Sequence, residues 1–171
     1  MARIIKFDRD KHKSDLHRLN IEYIEWVAER FRIGLNLDLE KILGVTIEEY
    51  VTDFLDGFSK IEPPIGIILL IEDQGKIVGM GAVQELIPSV GEIKRMFIQS
   101  SYRGRGLGTK MLNQLVSKGK EFGFRKLRLD TSEHFPYAIQ LYRSAGFTEV
   151  VRDELGEAQP ETQHLQMELV F

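Results

Sequence analysis

Three glycines alternate with other residues in the segment SYRGRGLGTKM, at positions 104, 106 and 108. Glycine is retained where a chain must turn sharply or where another group must approach the peptide closely. An apolar periodic run follows at once, so the glycines lie at the start of a predicted helix. The first amides of a helix have no partner within the helix and lie at the positive end of its dipole. The segment therefore predicts a cradle for an anion, with phosphate as the obvious candidate.

Spacing distinguishes this segment from two familiar phosphate loops. A dinucleotide fingerprint, GxGxxG, requires a further glycine where the chain has Thr109 or Met111. A nucleoside triphosphate loop requires GxxxxGK and then Ser or Thr, and no lysine follows a correctly spaced second glycine. The pattern that remains is RxxGxG, formed by Arg103, Gly106 and Gly108.

Hydrophobic periodicity predicts the elements that position the cradle. A strand is predicted at 3–7, a helix at 14–31 with Ser14 or Asp15 as N-cap, and another helix from a capping box at Thr46 and Glu49. Further strands are predicted at 66–73, 77–86, 91–99, 126–130, 147–151 and 164–170, helices from Leu107 to near Gly123 and at 136–145, and a polar loop at 153–162.

The order strand, glycine loop, helix, strand between 91 and 130 indicates a βαβ unit with parallel strands and a right-handed crossover. The hairpins before it pair antiparallel. The predicted fold class is therefore α/β in the mixed, α+β sense, with a mostly antiparallel twisted sheet of roughly six to seven strands and helices on both faces.

Composition limits the classes of function. The 171 residues fit one domain, 1–171, and the absence of cysteine excludes a thiolate zinc site and fits a reducing cytoplasm, where we expect the protein. Twenty-three basic and 26 acidic residues give a net charge of -3, which argues against nucleic-acid binding. The longest apolar run, IGIILLI, is far shorter than the roughly 20 residues that span a bilayer, so no membrane partner is expected.

The glycine motif follows EIKRMFIQ and precedes LRLDTS and AIQLYRSAGF, and this combination resembles the GCN5-related N-acetyltransferase (GNAT) superfamily, whose pyrophosphate motif is Q/RxxGxG/A. The resemblance is specific over 77–151 and weaker over the first 65 residues. It implies strands 91–99 and 126–130 that splay apart to hold acetyl-CoA, and no metal. The implied activity is acetyl transfer from acetyl-CoA to a primary amine of a small molecule or peptide by direct attack.

The resemblance also implies the contacts of acetyl-CoA. Main-chain groups of Met96, Phe97 and Ile98 bind the pantetheine arm and the acetyl carbonyl, with the Met96 amide at the oxyanion. The residues of the pyrophosphate loop are Arg103, Gly104, Arg105, Gly106, Leu107, Gly108 and Thr109. The chain departs from the family at Phe135, where many relatives have an asparagine that contacts the pantetheine arm.

Two residues are candidates for proton transfer. A free alkylamine with a pKa of about 10.4 is mostly protonated at pH 7, so a base is useful. Glu92 resembles a strand glutamate that deprotonates the amine in some members, and Glu85 is a weaker choice; the structural alternative for Glu92 is a solvated strand face or a pair with Lys94.

Tyr142 resembles a tyrosine that lies near the CoA sulfur and protonates it, which a phenol of pKa about 10 can do for a thiolate of about 8.5 if the site lowers the phenol pKa or the transfer is late. Packing with Leu141 and Phe147 against the sheet is its structural alternative.

Other functions stay open at this point. A non-catalytic CoA-binding regulatory module has no need of both Glu92 and Tyr142, and a nucleotide-binding oxidoreductase is disfavoured by the misplaced third glycine. The basic residues are assigned to the phosphorylated co-substrate; they are Lys94, Arg95, Arg103 and Arg105. The acceptor is not predicted, Trp26 is assigned to the core or to the acceptor pocket, and the resemblance allows a homodimer, since relatives are often dimers. If Gly106 has an ordinary φ, valine there should obstruct a phosphate with little loss of folding.

Overall fold

The computed structural model describes residues 1–151 and 164–171. These residues form a seven-stranded sheet of order β1-β2-β3-β4-β5-β7-β6. The strands are β1 (Arg3–Lys6), β2 (Gly66–Asp73), β3 (Lys76–Ile87), β4 (Val90–Ile98), β5 (Lys126–Ser132), β6 (Thr148–Val150) and β7 (His164–Val170). Neighbours pair antiparallel except β4 and β5, which are parallel. The predicted mixed, mostly antiparallel sheet is confirmed, whereas the loop predicted at 153–162 lies outside the described residues.

Helices cover both faces of the sheet. They are α1 (Arg9–Leu35), α2 (Leu39–Leu43), α3 (Ile47–Phe58), α4 (Leu107–Glu121) and α5 (Pro136–Ser144). One buried cluster joins α4 and α5 to the sheet through residues such as Met111 and Tyr142. A second cluster joins α1 and α3 to the opposite face through residues such as Leu19 and Val51. No helix in the described ranges is long and apolar enough to cross a membrane.

Helix α1 begins earlier than predicted. Asp8 is its N-cap, because its carboxylate accepts hydrogen bonds from the amides of Asp10 and Lys11, so the assignment to Ser14 or Asp15 is wrong. The first turns of α1 contain no buried side chain, and α2 contains none either, so hydrophobic periodicity marks neither of them. The capping box of α3 is confirmed in both directions.

Strands β4 and β5 separate soon after they meet. Their parallel ladder joins only Val90 to Lys126, Gly91 to Leu127 and Glu92 to Arg128. Beyond it β4 continues to Ile98 and β5 to Ser132, with no ladder between them in the part of the chain that the structure describes. The two strands thus form the V that the family resemblance implies, with its vertex at the Glu92 and Arg128 positions.

Close packing holds the vertex. A Cβ built on Gly91 would lie 2.4 Å from Cδ2 of Phe124 and 2.6 Å from Cδ2 of Leu127. We expect Gly91→Ala to lower the free energy of unfolding by about 1–3 kcal/mol, because the added methyl overpacks the core. Gly57→Ala is the matched control, since nothing lies within 4 Å of its Cβ position inside α3 and alanine favours a helix. Urea denaturation measures both, and an equal response of the two variants would contradict tight packing at the vertex.

Candidate active site

The glycine loop between β4 and α4 has a left-handed backbone at two positions. Gly104 has φ +75° and Gly106, the N-cap of α4, has φ +73°. A Cβ on either residue would meet no atom within 4 Å, so backbone conformation and not crowding requires glycine here. The condition of an ordinary φ at Gly106 is therefore wrong, and any side chain at that position is strained.

The amides of residues 104 to 109 make no hydrogen bond among the described residues. The next amide along the chain, that of Lys110, donates to the carbonyl of Gly106 at 3.1 Å. The amides of 104 to 109 thus form a continuous row of donors at the positive end of α4, and the side chains of Arg105 and Lys110 are exposed beside them. A diphosphate fits this donor set, because its oxygens accept hydrogen bonds and carry negative charge.

One edge of β4 lies open within the V. From Ile93 to Ile98 the strand pairs only with β3 in the described ranges. Met96 and Ile98 pack towards α4, whereas Phe97 belongs to the cluster under α1 and α3. The main chain of the three predicted pantetheine-binding residues therefore runs along the open side of the sheet and leads to the glycine loop.

Tyr142 is a buried tyrosine of α5. It is 8% exposed, and its ring packs 6.1 Å from that of Phe147. Burial raises the pKa of Tyr142, and the nearby phenol of Tyr23 raises it further. Tyr142 belongs to the cluster of α4 and α5, and Tyr23 packs against the cluster of α1 and α3 on the opposite face of the sheet. The Tyr142 hydroxyl thus keeps its proton at neutral pH, but the site does not lower its pKa, so a role as proton donor requires a late transfer.

Comparison with known proteins identifies this arrangement. A model of the family described as "Acetyltransferase (GNAT) family" matches residues 15–147. The chain belongs to the GNAT family. Transfer of an acyl group is the activity of this family, and the chain is an enzyme of the N-acetyltransferase class.

Individual relatives agree with the family match. An IAA acetyltransferase of Azospirillum brasilense is 30% identical over 132 residues, which cover 77% of this chain and 84% of the relative. The uncharacterized N-acetyltransferase YjgM of Escherichia coli is 30% identical over 138 residues, which cover 72% of this chain and 83% of YjgM. The solved PaiA N-acetyltransferase of Thermoplasma acidophilum, in complex with coenzyme A, shares the fold with a TM-score of 0.72 at 16% identity, over 100% of this chain and 99% of that one.

Glu92 lies at the vertex of the V of this GNAT enzyme. It is 5% exposed, so the solvated strand face of its structural alternative is wrong, but the pair with Lys94 is present at 3.2 Å. Its neighbour Ile93 packs towards α4, so Glu92 and Lys94 face the side of α1 and α3. Glu85, the weaker candidate, is exposed and pairs in register with Gly91, which places it on the opposite face. Of the two glutamates, Glu92 alone is buried beside the gap.

The two arginines of the loop hold its conformation with their side chains. Arg103 donates from Nε to the carbonyl of Ile98 at 2.8 Å, and its guanidinium lies 4.9 Å from the ring centre of Trp26. Arg105 donates to the carbonyl of Ser101 at 2.9 Å. Lys94 and Arg95 lie elsewhere, on the side of α1 and α3. The assignment of basic residues to the phosphorylated co-substrate is therefore wrong for Lys94 and Arg95.

An aromatic cluster crosses the V on the side of α1. Trp26 and Phe31 of α1 stack on Phe135, which precedes α5, with ring centres 5.0 and 5.7 Å apart. Phe135, which stands where many relatives have an asparagine, thus joins α1 to the β5 side of the sheet. Periodicity places Trp26 and Phe31 on one helix face, but their partner Phe135 is distant in sequence and was not predicted. No cluster of metal-ligating side chains occurs within residues 1–151 and 164–171.

Proposed function

We propose that this GNAT enzyme transfers an acetyl group from acetyl-CoA to the primary amine of a small molecule or peptide by direct attack. The observation that carries the proposal is the row of amides from 104 to 109, which have no partner among the described residues and lie beside the open edge of β4. Acetyl-CoA would supply the activated acetyl thioester. The family match and the fold shared with a coenzyme A complex support the same assignment.

In this proposal the chain binds acetyl-CoA mainly through its backbone. The loop residues that hold the diphosphate are Arg103, Gly104, Arg105, Gly106, Leu107, Gly108 and Thr109. Main-chain groups of Met96, Phe97 and Ile98 hold the pantetheine arm and the acetyl carbonyl. The Met96 amide, fixed by the strand, stabilises the negative charge that develops on the carbonyl oxygen.

Glu92 and Tyr142 move the protons. Glu92 accepts a proton from the ammonium group of the acceptor, directly or through water, which frees the nitrogen lone pair for the new C–N bond. As the C–S bond breaks, Tyr142 donates its hydroxyl proton to the departing sulfur. Two observations support these roles: Glu92 is buried at the vertex, and burial raises the pKa of Tyr142, so that its hydroxyl carries a proton to donate.

Calorimetric titration with CoA, acetyl-CoA and NAD tests the binding half of the proposal. We expect both CoA species to bind and NAD to give no heat of binding. Release of free thiol from acetyl-CoA with a panel of amines tests the transfer half. Binding of NAD without CoA would refute the proposal, and CoA binding without thiol release for any amine would favour a regulatory module.

Glu92→Gln tests the proposed base. We expect kcat/KM for the amine to fall about tenfold at pH 7, because a neutral amide cannot accept the proton. The deficit shrinks as the pH rises towards the amine pKa of about 10.4, since free amine then becomes abundant.

Glu85→Gln is the matched control, because it makes the same change at an exposed position on the other face. Acetyl-CoA affinity should stay unchanged in both variants. If the Glu92→Gln variant kept the wild-type pH profile, Glu92 would not be the base, and water would have to accept the proton.

A further inference from the structure

Arg95 lies in a bulge of β4. Met80 is in register with Phe97 and Ala82 with Lys94, so β4 has one more residue than β3 between these pairs. Arg95 has φ +54°, an uncommon conformation for a residue with a long side chain. Bulges redirect side chains and are frequent next to active sites. Here the bulge directs the guanidinium to the side of the sheet that α1 and α3 cover.

Aromatic rings surround the Arg95 guanidinium. Its carbon lies 3.8 Å from the ring centre of Phe54, 5.4 Å from that of Tyr50 and 5.7 Å from that of Tyr23. One nitrogen donates to the Tyr50 hydroxyl at 3.0 Å. These rings hold the cation in one orientation while removing much of its water. We call Arg95 and these three rings the Arg95 box.

The Arg95 box contains no negative charge. Among the described residues no carboxylate lies within ion-pair distance of Arg95, whereas Arg3, Arg18 and Arg32 each pair with an acid. A guanidinium has five N–H donors, and Tyr50 accepts from only one nitrogen. A partly buried cation with spare donors and no acid beside it is suited to an anion from outside the chain.

The Arg95 box adjoins the reaction centre. Tyr23 packs 5.6 Å from Phe97, one of the residues along the open edge of β4. Arg95 also directly precedes Met96 in β4, whose amide is proposed to stabilise the charge on the carbonyl oxygen. The Arg95 box is thus next to the open edge of β4, where a small acceptor with its amine in the V would meet Arg95 with an anionic group.

We propose that Arg95 binds a carboxylate of the acceptor, so that the acceptor is a small amine that also bears a carboxylate, such as an amino acid. This inference rests on the proposed function and narrows its substrate class. A planar carboxylate matches the fork of guanidinium donors and fits between aromatic walls.

A paired substrate panel tests the inference. The twenty common L-amino acids, β-alanine and 4-aminobutyrate are compared with their carboxamides and with O-phosphoethanolamine. We expect at least one acid to be acetylated with a kcat/KM about 20-fold above that of its amide, as loss of a charge-assisted hydrogen bond predicts. Acetylation of neutral amines or of the phosphate ester alone, or of no carboxylate-bearing amine, overturns the inference. Acetylation of neutral amines would still leave the proposed function standing.

Substitution of Arg95 assigns the preference to this residue. Arg95→Met should raise KM for the preferred acid about 20-fold, leave kcat within about threefold and leave KM for the amide unchanged. Arg30→Met is the matched control, because Arg30 lies over Trp26 outside the Arg95 box and is exposed. Should Arg95→Met fail to fold, Tyr50→Phe keeps the ring and removes only the hydroxyl that orients the guanidinium. We expect this variant to raise KM for the preferred acid about threefold. An acid preference that survives in the folded variants overturns the assignment.

Discussion

Replacing Tyr142 with phenylalanine lowers kcat by about 100-fold, as expected for loss of a general acid, while acetyl-CoA affinity changes less than threefold. The ring remains in the core against Phe147, so the variant folds. Only the hydroxyl is removed, and that hydroxyl makes no hydrogen bond that the described residues would lose. The defect therefore belongs to the chemical step.

The buried position of Tyr142 keeps its proton in place but also makes the phenol a weaker acid, because burial raises its pKa. A thiol has a pKa of about 8.5, below that of the phenol, so Tyr142 can give its proton to the sulfur only late, as negative charge builds up on the sulfur while the C–S bond breaks. Burial raises the pKa of Tyr142, so the phenol stays protonated over the whole neutral and mildly alkaline range. We expect wild-type kcat to show no alkaline decline from Tyr142 below its ordinary phenol pKa of about 10.

Tyr137→Phe is the matched control for this experiment. Tyr137 lies on the same helix as Tyr142 but is 87% exposed, so the same loss of a hydroxyl there should leave kcat unchanged. Steady-state kinetics with acetyl-CoA and any accepted amine measures both variants. Unaltered kcat in Tyr142→Phe would leave Tyr142 a packing residue, and another donor would have to protonate the sulfur.

Much of the fold could be predicted because the elements that surround the site bury one face. Helix α4 repeats its apolar residues at helical spacing, and β2 and β3 read as hydrophobic runs joined by a turn. The N-terminal turns of α1 and the whole of α2 bury nothing, so they carry no hydrophobic signal. Hydrophobic periodicity detects only the helices that bury one face, so it cannot predict a helix whose side chains are all exposed or half-buried.

The site was only half predictable, because its two halves depend on different kinds of information. The glycine cradle depends on local backbone conformation, and the glycines at 104 and 106 that allow this conformation are visible in the sequence. The Arg95 box depends on a bulge, which breaks the strand alternation on which any assignment of faces relies. Its rings come from α1 and α3, distant in sequence, so Arg95 was wrongly grouped with the phosphate-binding residues.

The cradle itself is tested by a pair of glycines on one helix. Gly106 begins α4 with φ +73°, and Gly123 follows its end with φ +82°. A Cβ on either residue would meet no atom within 4 Å, so valine at either position introduces similar backbone strain without a clash. The two variants should therefore lose comparable stability, which thermal unfolding measures.

Their effects on coenzyme A should differ greatly. Gly106→Val places a branched side chain beside the row of amides from 104 to 109 and should weaken CoA binding by about 100-fold or more, which corresponds to ~2.7 kcal/mol. Gly123→Val should bind CoA as the wild type does, since it lies at the opposite end of α4. If one of the valine variants does not fold, alanine at both positions gives the same comparison, with a smaller expected loss of CoA affinity at Gly106. Equal CoA affinity in the two variants would mean that the diphosphate binds elsewhere, because a side chain placed among the amides that bind it must lower the affinity.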